Sequence, residues 1–298
     1  MKKVSIFILI LFSCKILLAQ ADTSHFSYFE KEEYHAFIAE STTLANGTTQ
    51  EKVVINGFDS RVPFYFIKPK SNESGKYVIL LHGLTADKDN WIYPSTSLSA
   101  KYVKLKDSLL TLGFNVIIPD AKYHGERSHE ADFVSPIIKA QNQDVQYYYN
   151  LFSTTVRDIR VIMDYIRSTH GDENTTFNLI GYSMGGMMAI LLNAIDNRFD
   201  RVVICVAPLD MKKTAMRIGM EEESANKLGS IAPKHFASLQ KAPISYLVGT
   251  KDGWYSKEEA QAFFDAITIE DKTVKFYESG HYLPESFIDD AIGGIIKE

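Results

Sequence analysis

Short apolar runs recur along the chain at Lys52–Ile55, Val62–Ile67, Tyr77–Leu81, Asn115–Ile118, Phe177–Ile180, Arg201–Val206, Ile244–Val248 and Val274–Tyr277. Several are continuous rather than alternating, which predicts strands buried on both faces of a parallel sheet. Segments of helical spacing lie between them. Val156, Ile159, Met163 and Ile166 share one face while Asp158, Arg160 and Arg167 occupy others, and Leu98–Leu112 and Lys257–Ile267 are further helices. Strands alternating with helices predict an α/β fold, a mostly parallel sheet of about eight strands with helices on both faces. The first two strands have no helix between them and are expected to form an antiparallel edge.

Two stretches break this rhythm. Residues 122–153 carry the aromatic cluster Tyr147, Tyr148, Tyr149 and Phe152, and residues 208–241 mix Glu221–Glu222–Glu223 with short helical pieces. Stretches this long are either functional lids or peripheral helices. The pattern leaves both readings open, with 208–241 as the candidate lid insertion. No repeat, low-complexity tract or Pro/Gly-rich linker divides residues 22–298, so a single domain is expected there.

The amino end follows a different pattern. Lys2 and Lys3 precede the apolar run Val4–Phe12, and small residues Ala19 and Ala21 flank Gln20 before Asp22–Thr23–Ser24. This is the pattern of a secretory signal peptide at residues 1–21, cleaved after Ala19 or Ala21. Lys15 interrupts the apolar stretch, which argues against a membrane anchor of about 20 residues. An exported protein, periplasmic or secreted and without a stable membrane span after cleavage, is therefore expected.

Composition changes the picture only by exclusion. With 45% hydrophobic and 23% charged residues, the 298-residue chain is an ordinary globular protein. Its net charge of −5 gives no basic face for nucleic acid. Cleavage after Ala21 removes three lysines and no acids, which leaves −8. Of the two cysteines only Cys205 would remain, inside an apolar run, so its thiol reads as packing and the core alone must supply stability.

The strongest chemical signal is Gly181–Tyr182–Ser183–Met184–Gly185, followed by Gly186. A strand reading precedes it and an apolar helix start at Met187–Asn193 follows. A serine on so sharp a strand-to-helix turn needs neighbours without bulk, which Gly181 and Gly185 supply. The helix N-terminus points free N–H groups toward its oxygen. A serine hydroxyl at its free pKa is a poor nucleophile and needs a base held by an acid. Of the eight histidines, only His281 follows the last strand in a short turn, and Asp252 follows an intermediate strand. The order Ser183, Asp252, His281 suits this type of turn, with Asp210 as reserve acid. An oxyanion needs two backbone donors. Met184 N–H is one, and Leu84 N–H in Leu81–His82–Gly83–Leu84 is the other. His82 reads as structural support for that loop. His124 and His129 lack partners at metal-ligand spacing and read as ordinary loop residues, so no metal is expected.

On these residues the chain resembles the α/β-hydrolase superfamily over nearly all of residues 50–298. Leu81–His82–Gly83 matches the oxyanion loop, Gly181–Gly186 the nucleophile turn, Gly249–Thr250–Lys251–Asp252 the acid and Gly280–His281 the base. Gly113–Ser128 is similar to the loop after the fourth strand in many members. The resemblance is nearest to small bacterial esterases and to dienelactone-hydrolase-like or prolyl-oligopeptidase-like catalytic domains. It implies serine-dependent hydrolysis of small-molecule esters through an acyl-enzyme, without a cofactor. His82–Gly83–Leu84 departs from the His-Gly-Gly-Gly loop of one lipase/esterase branch. A prolyl-oligopeptidase-like peptidase and a non-catalytic binding protein are the alternatives, and residues 208–241 look too charged to line a large apolar groove. Substrate and oligomeric state stay open.

Overall fold

The structure is a computed structural model that describes residues 21–70, 75–172 and 175–296. The expected signal segment falls outside the described residues except for Ala21. Among the described residues, no helix is long and apolar enough to cross a membrane.

Nine strands form one sheet in the order β1-β2-β3-β5-β4-β6-β7-β8-β9. From β4 (Tyr77–Leu81) through β6 (Phe177–Tyr182), β7 (Phe199–Cys205), β8 (Ile244–Gly249) and β9 (Lys272–Tyr277) the pairing is parallel, and β4 also pairs in parallel with β5 (Asn115–Pro119). Every residue of β4, β5 and β6 is buried, as the continuous apolar runs require. Helices α1 (Ser97–Thr111) and α8 (Phe287–Ile296) pack together on the sheet, α7 (Lys257–Ala266) packs on β8, and α3 (Val145–His170) packs with α4 (Met184–Ile195). The expected antiparallel edge is β2 (Thr49–Asn56) with β3 (Arg61–Lys68), but it is not the outermost pair. A further strand, β1 (Phe37–Thr43), adds to β2 with all seven residues exposed. Backbone pairing alone makes this strand. It buries no face, so no alternation of apolar residues announces it.

The two irregular stretches resolve into helices. Residues 122–153 are not one long loop: a turn of 3₁₀ helix at Gly125–Ala131 leads to α2 (Pro136–Gln141), and Tyr147, Tyr148 and Phe152 already belong to the first turns of the 26-residue α3. The aromatic run masked the start of that helix, which Asp144 caps by accepting from Tyr147 N–H at 3.0 Å. Residues 208–241 hold α5 (Met211–Arg217), α6 (Glu222–Asn226) and 3₁₀ turns at Lys227–Ile231 and Pro233–Leu239.

Buried charge holds the loop after β5 in place. Arg127, 1% exposed, donates to Asp158 Oδ2 on α3 at 2.9 Å, to Ser60 Oγ at 3.0 Å and to Glu130 Oε1 at 3.1 Å. Asp158 also accepts Phe58 N–H at 2.6 Å, so one carboxylate joins three segments. Replacing Asp158 by Ala leaves the Arg127 cation buried with much of its neutralisation gone. The expected loss is about 3–5 kcal/mol, read as a Tm lower by roughly 6 °C or more. A Tm within 1–2 °C of the parent, or roughly the surface-substitution range, contradicts this assignment.

Candidate active site

Loops at the carboxyl ends of the parallel strands converge on Ser183. This residue sits between β6 and α4 with φ 57° and ψ −115°, outside the regions open to ordinary L-residues. The turn closes because both flanking glycines lack a Cβ. One on Gly181 would lie 2.1 Å from Gly185 O, and one on Gly185 would lie 2.4 Å from Leu81 O. Ser183 N–H donates to Cys205 O at 2.8 Å, which ties the turn to the neighbouring strand. Cys205 itself is fully buried, and burial pushes its thiol well above the ordinary range, in keeping with a packing role.

The structure brings Ser183, His281 and Asp252 together. Ser183 Oγ stands 2.8 Å from His281 Nε2, and His281 Nδ1 stands 2.8 Å from Asp252 Oδ2. The only consistent proton assignment has Nδ1–H donating to the carboxylate while Nε2 accepts from the serine hydroxyl. The Asp252 side chain is fully buried, and its other oxygen accepts Trp254 N–H at 2.9 Å, which fixes the carboxylate plane. Asp210, the reserve acid, is not part of this group. It caps α5 by accepting Lys213 N–H at 3.1 Å and takes Lys234 Nζ at 2.7 Å.

Gly83 brings the loop after β4 against Ser183: a Cβ there would lie 3.7 Å from Ser183 Cβ. Neither the Leu84 nor the Met184 amide has a protein acceptor among the described residues. Two histidines hold this loop. His82 Nε2 accepts Ala121 N–H at 3.1 Å, so its proton is on Nδ1 and donates to Gly83 O at 2.9 Å. That carbonyl belongs to the same peptide unit as Leu84 N–H, and the bond therefore orients this donor. His124 comes from the opposite loop, and its ring nitrogens stand 2.7 Å from Leu84 O and 2.9 Å from Lys122 O, two acceptors of which a neutral imidazole donates to one. Sequence reading treats His124 as an unremarkable loop residue, whereas it closes the loop on the other side of Leu84. Its sequence neighbours carry no sign of this, because its partner lies 40 positions away. His129 only bonds Glu126 O, and among the described residues no group of three or more His, Cys, Asp or Glu side chains could hold a metal.

A cavity of about 210 Å³ opens over Ser183. Ile137 of α2, Tyr148 and Phe152 of α3, and Met211, Ala215 and Ile218 from the 208–241 stretch form its walls, and no Asp, Glu, Lys or Arg side chain lines it. The 208–241 stretch thus lines an apolar space, but a small one rather than a large groove. Its acids and lysines, such as Lys212 paired with Glu222, face outward, and most of its apolar residues face in, Met216 and Leu239 excepted.

A family model for the alpha/beta hydrolase fold matches residues 76–240. The Bacillus subtilis (strain 168) protein YtaP, assigned by name as a hydrolase, is 28% identical over 155 residues, 51% of this chain and 49% of YtaP. The chain thus spans about half of that relative's length. YitV of the same organism, assigned by name as an esterase, is 23% identical over 229 residues, 70% of this chain and 81% of YitV. Acetyl xylan esterase 1 from Thermoanaerobacterium sp. JW/SL YS485 is similar in structure, with TM-score 0.65 and 18% identity over 88% of this chain and 87% of that one. A cold-adapted esterase from an Arctic intertidal metagenomic library has TM-score 0.63 and 16% identity, covering 88% of this chain and 99% of its own. At these identities the structural likenesses speak for the fold.

Burial pushes His82 down to about 3, with His124 beside it adding to the depression, and burial lowers His124 as well. Below about pH 6.5 the unfolded chain takes up protons that these folded sites refuse. Stability is therefore lost as pH falls, by up to about 1.4 kcal/mol per pH unit per histidine. Denaturant midpoints at pH 7 and pH 5 check this. His82→Asn should be less stable at pH 7 yet lose less than the parent between the two, and equal losses contradict it.

Proposed function

The chain belongs to the α/β-hydrolase family, and from that premise we propose that it is an exported carboxylesterase that works through a serine acyl-enzyme. The observation that carries this reading is the unbroken Ser183 Oγ–His281–Asp252 chain, with both links at 2.8 Å, on a serine held at a strained turn. Ser183 Oγ attacks the ester carbonyl while its proton passes to His281 Nε2. Asp252 keeps Nδ1–H in place and stabilises the imidazolium. Negative charge that develops on the carbonyl oxygen meets the N–H groups of Leu84 and Met184, which are pre-aimed and unpaid for by any other acceptor. His281 then returns the proton to the departing alcohol. Water repeats the sequence on the acyl-enzyme and frees the acid. No step calls for a cofactor. Export rests on the N-terminal pattern of residues 1–21.

The cavity supports an uncharged, apolar acyl group of limited size. A cavity of 150 Å³ holds benzene, so about 210 Å³ corresponds to roughly eight or nine non-hydrogen atoms. A carboxylate-bearing acyl chain would lose hydration without gaining a cationic partner.

Fluorophosphonate labelling followed by peptide mapping tests the nucleophile. Ser183 should carry the label, and Ser183→Ala should lower kcat on p-nitrophenyl acetate by at least about 10³-fold. Absence of label on folded protein would move the reading to a binding protein on the same fold.

In a p-nitrophenyl ester series, acyl chains up to roughly eight carbons should be turned over, with kcat/KM declining steeply beyond. Phe152→Ala should extend the accepted length. Undiminished turnover of a sixteen-carbon ester, roughly twice the length the cavity holds, contradicts the cavity argument.

A further inference from the structure

His281 and Ser183 are 98 positions apart in sequence, yet their reacting atoms must stay within hydrogen-bond reach. His281 lies in the segment between β9, which ends at Tyr277, and α8, which starts at Phe287, where no regular element holds the backbone. The contact with Asp252 orients the imidazole but does not anchor the main chain that carries it. Tyr182 does. Its hydroxyl donates to His281 O at 2.8 Å and accepts Leu283 N–H at 3.0 Å, so one oxygen clasps the histidine loop on both sides of Tyr282. The Tyr182 ring is 2% exposed, set edge-on against Tyr102 at 5.3 Å and Phe287 at 5.8 Å, so the hydroxyl has little freedom to move.

Tyr182 is also the residue that immediately precedes the nucleophile. Its Cα is one trans peptide from that of Ser183, a fixed step of about 3.8 Å. The path from nucleophile to base backbone is thus one peptide, one rigid side chain and one hydrogen bond. The G-x-S-x-G pattern leaves this position open, since any residue fits the turn. This chain places there a side chain long enough to reach the histidine loop, with a hydroxyl able to donate and accept at once.

We propose that Tyr182 is a positioning residue that sets the Ser183–His281 distance through its hydroxyl. This rests on the serine-esterase reading. It acts on the base through the backbone and takes no part in bond making.

Tyr182→Phe tests it, because the ring and its packing remain while the hydroxyl goes. The variant should keep KM and lose kcat on p-nitrophenyl acetate by about ten- to a hundred-fold, the scale of a small misplacement of a reacting group. Its rate of fluorophosphonate labelling should fall in proportion. Tyr77→Phe is the control: it removes another buried hydroxyl-to-carbonyl bond, to His170 O at 2.8 Å, from a residue outside the site. That variant should lose Tm and keep kcat. The proposal is overturned if Tyr182→Phe retains parental kcat and labelling while its Tm drops as in Tyr77→Phe. It is equally overturned if KM rises and kcat holds, which would make Tyr182 a binding wall. If the parent protein itself takes no label, the serine-esterase reading fails first, an outcome visible before any variant is made.

Discussion

The whole carboxyl edge of the sheet depends on two positions where no side chain can exist. At Gly181 and Gly185 an added methyl group would lie 2.1 and 2.4 Å from backbone oxygens, far inside van der Waals contact. That clearance lets β6 turn into α4 within one residue and forces Ser183 to φ 57°, with its hydroxyl held above the strand ends. A residue in so unfavourable a conformation persists only if its surroundings over-determine it. Here they do: the buried strands β4 and β6 lie below, α4 is buried from Met184 to Ala194, and Ser183 N–H is bonded to Cys205 O.

Around this rigid centre the remaining groups sit on irregular backbone, which must be held by other means. Each loop is tied by a buried polar group, and several of these reach across from another loop. His82 accepts Ala121 N–H of the next loop and His124 reaches back to Leu84 O, while Asp252 is fixed within its own loop by Trp254 N–H. Asp120 accepts from Lys88 Nζ at 2.8 Å and from Glu126 N–H at 3.0 Å, which holds the turn that presents His124. Arg127 then fastens that turn to α3. These bonds are worth more for geometry than for net stability, since buried polar groups roughly offset their own desolvation. Their effect is a set of donors and acceptors aimed before substrate arrives, the condition for electrostatic stabilisation of a developing charge.

The cavity follows a different logic. Its floor is the nucleophile turn, but its walls come from α2, the start of α3 and α5, peripheral segments that contribute side chains rather than sheet. An apolar lining selects by size and desolvation, which discriminates between acyl groups more weakly than hydrogen-bond matching does. The Ser183–His281–Asp252 group and the cavity walls are thus built from separate parts of the chain.

The sequence by itself determined the strand and helix alternation and the parallel sheet, and it singled out Ser183, Asp252 and His281, which the fold brings within hydrogen-bond reach. Each leaves a local mark: period, glycine spacing, or a polar residue placed just after an apolar run. Eight of the strands were legible on that basis. β1 was not, because a strand that buries no face leaves no hydrophobic signal. The start of α3 was hidden for a different reason: its buried aromatic run obscures the helical period. Tertiary structure alone decided that His124 braces the oxyanion loop, that Asp210 is a helix cap, and that Met211 and Ile218 face the cavity while their charged neighbours face water. It also decided that Tyr182 clasps the His281 loop. In each of these cases the partner lies elsewhere on the chain or the choice is between two faces of one short element. Local periodicity carries no information about which distant atom will fill a side chain's reach. That choice is made only when the sheet closes and leaves each buried donor a small number of acceptors.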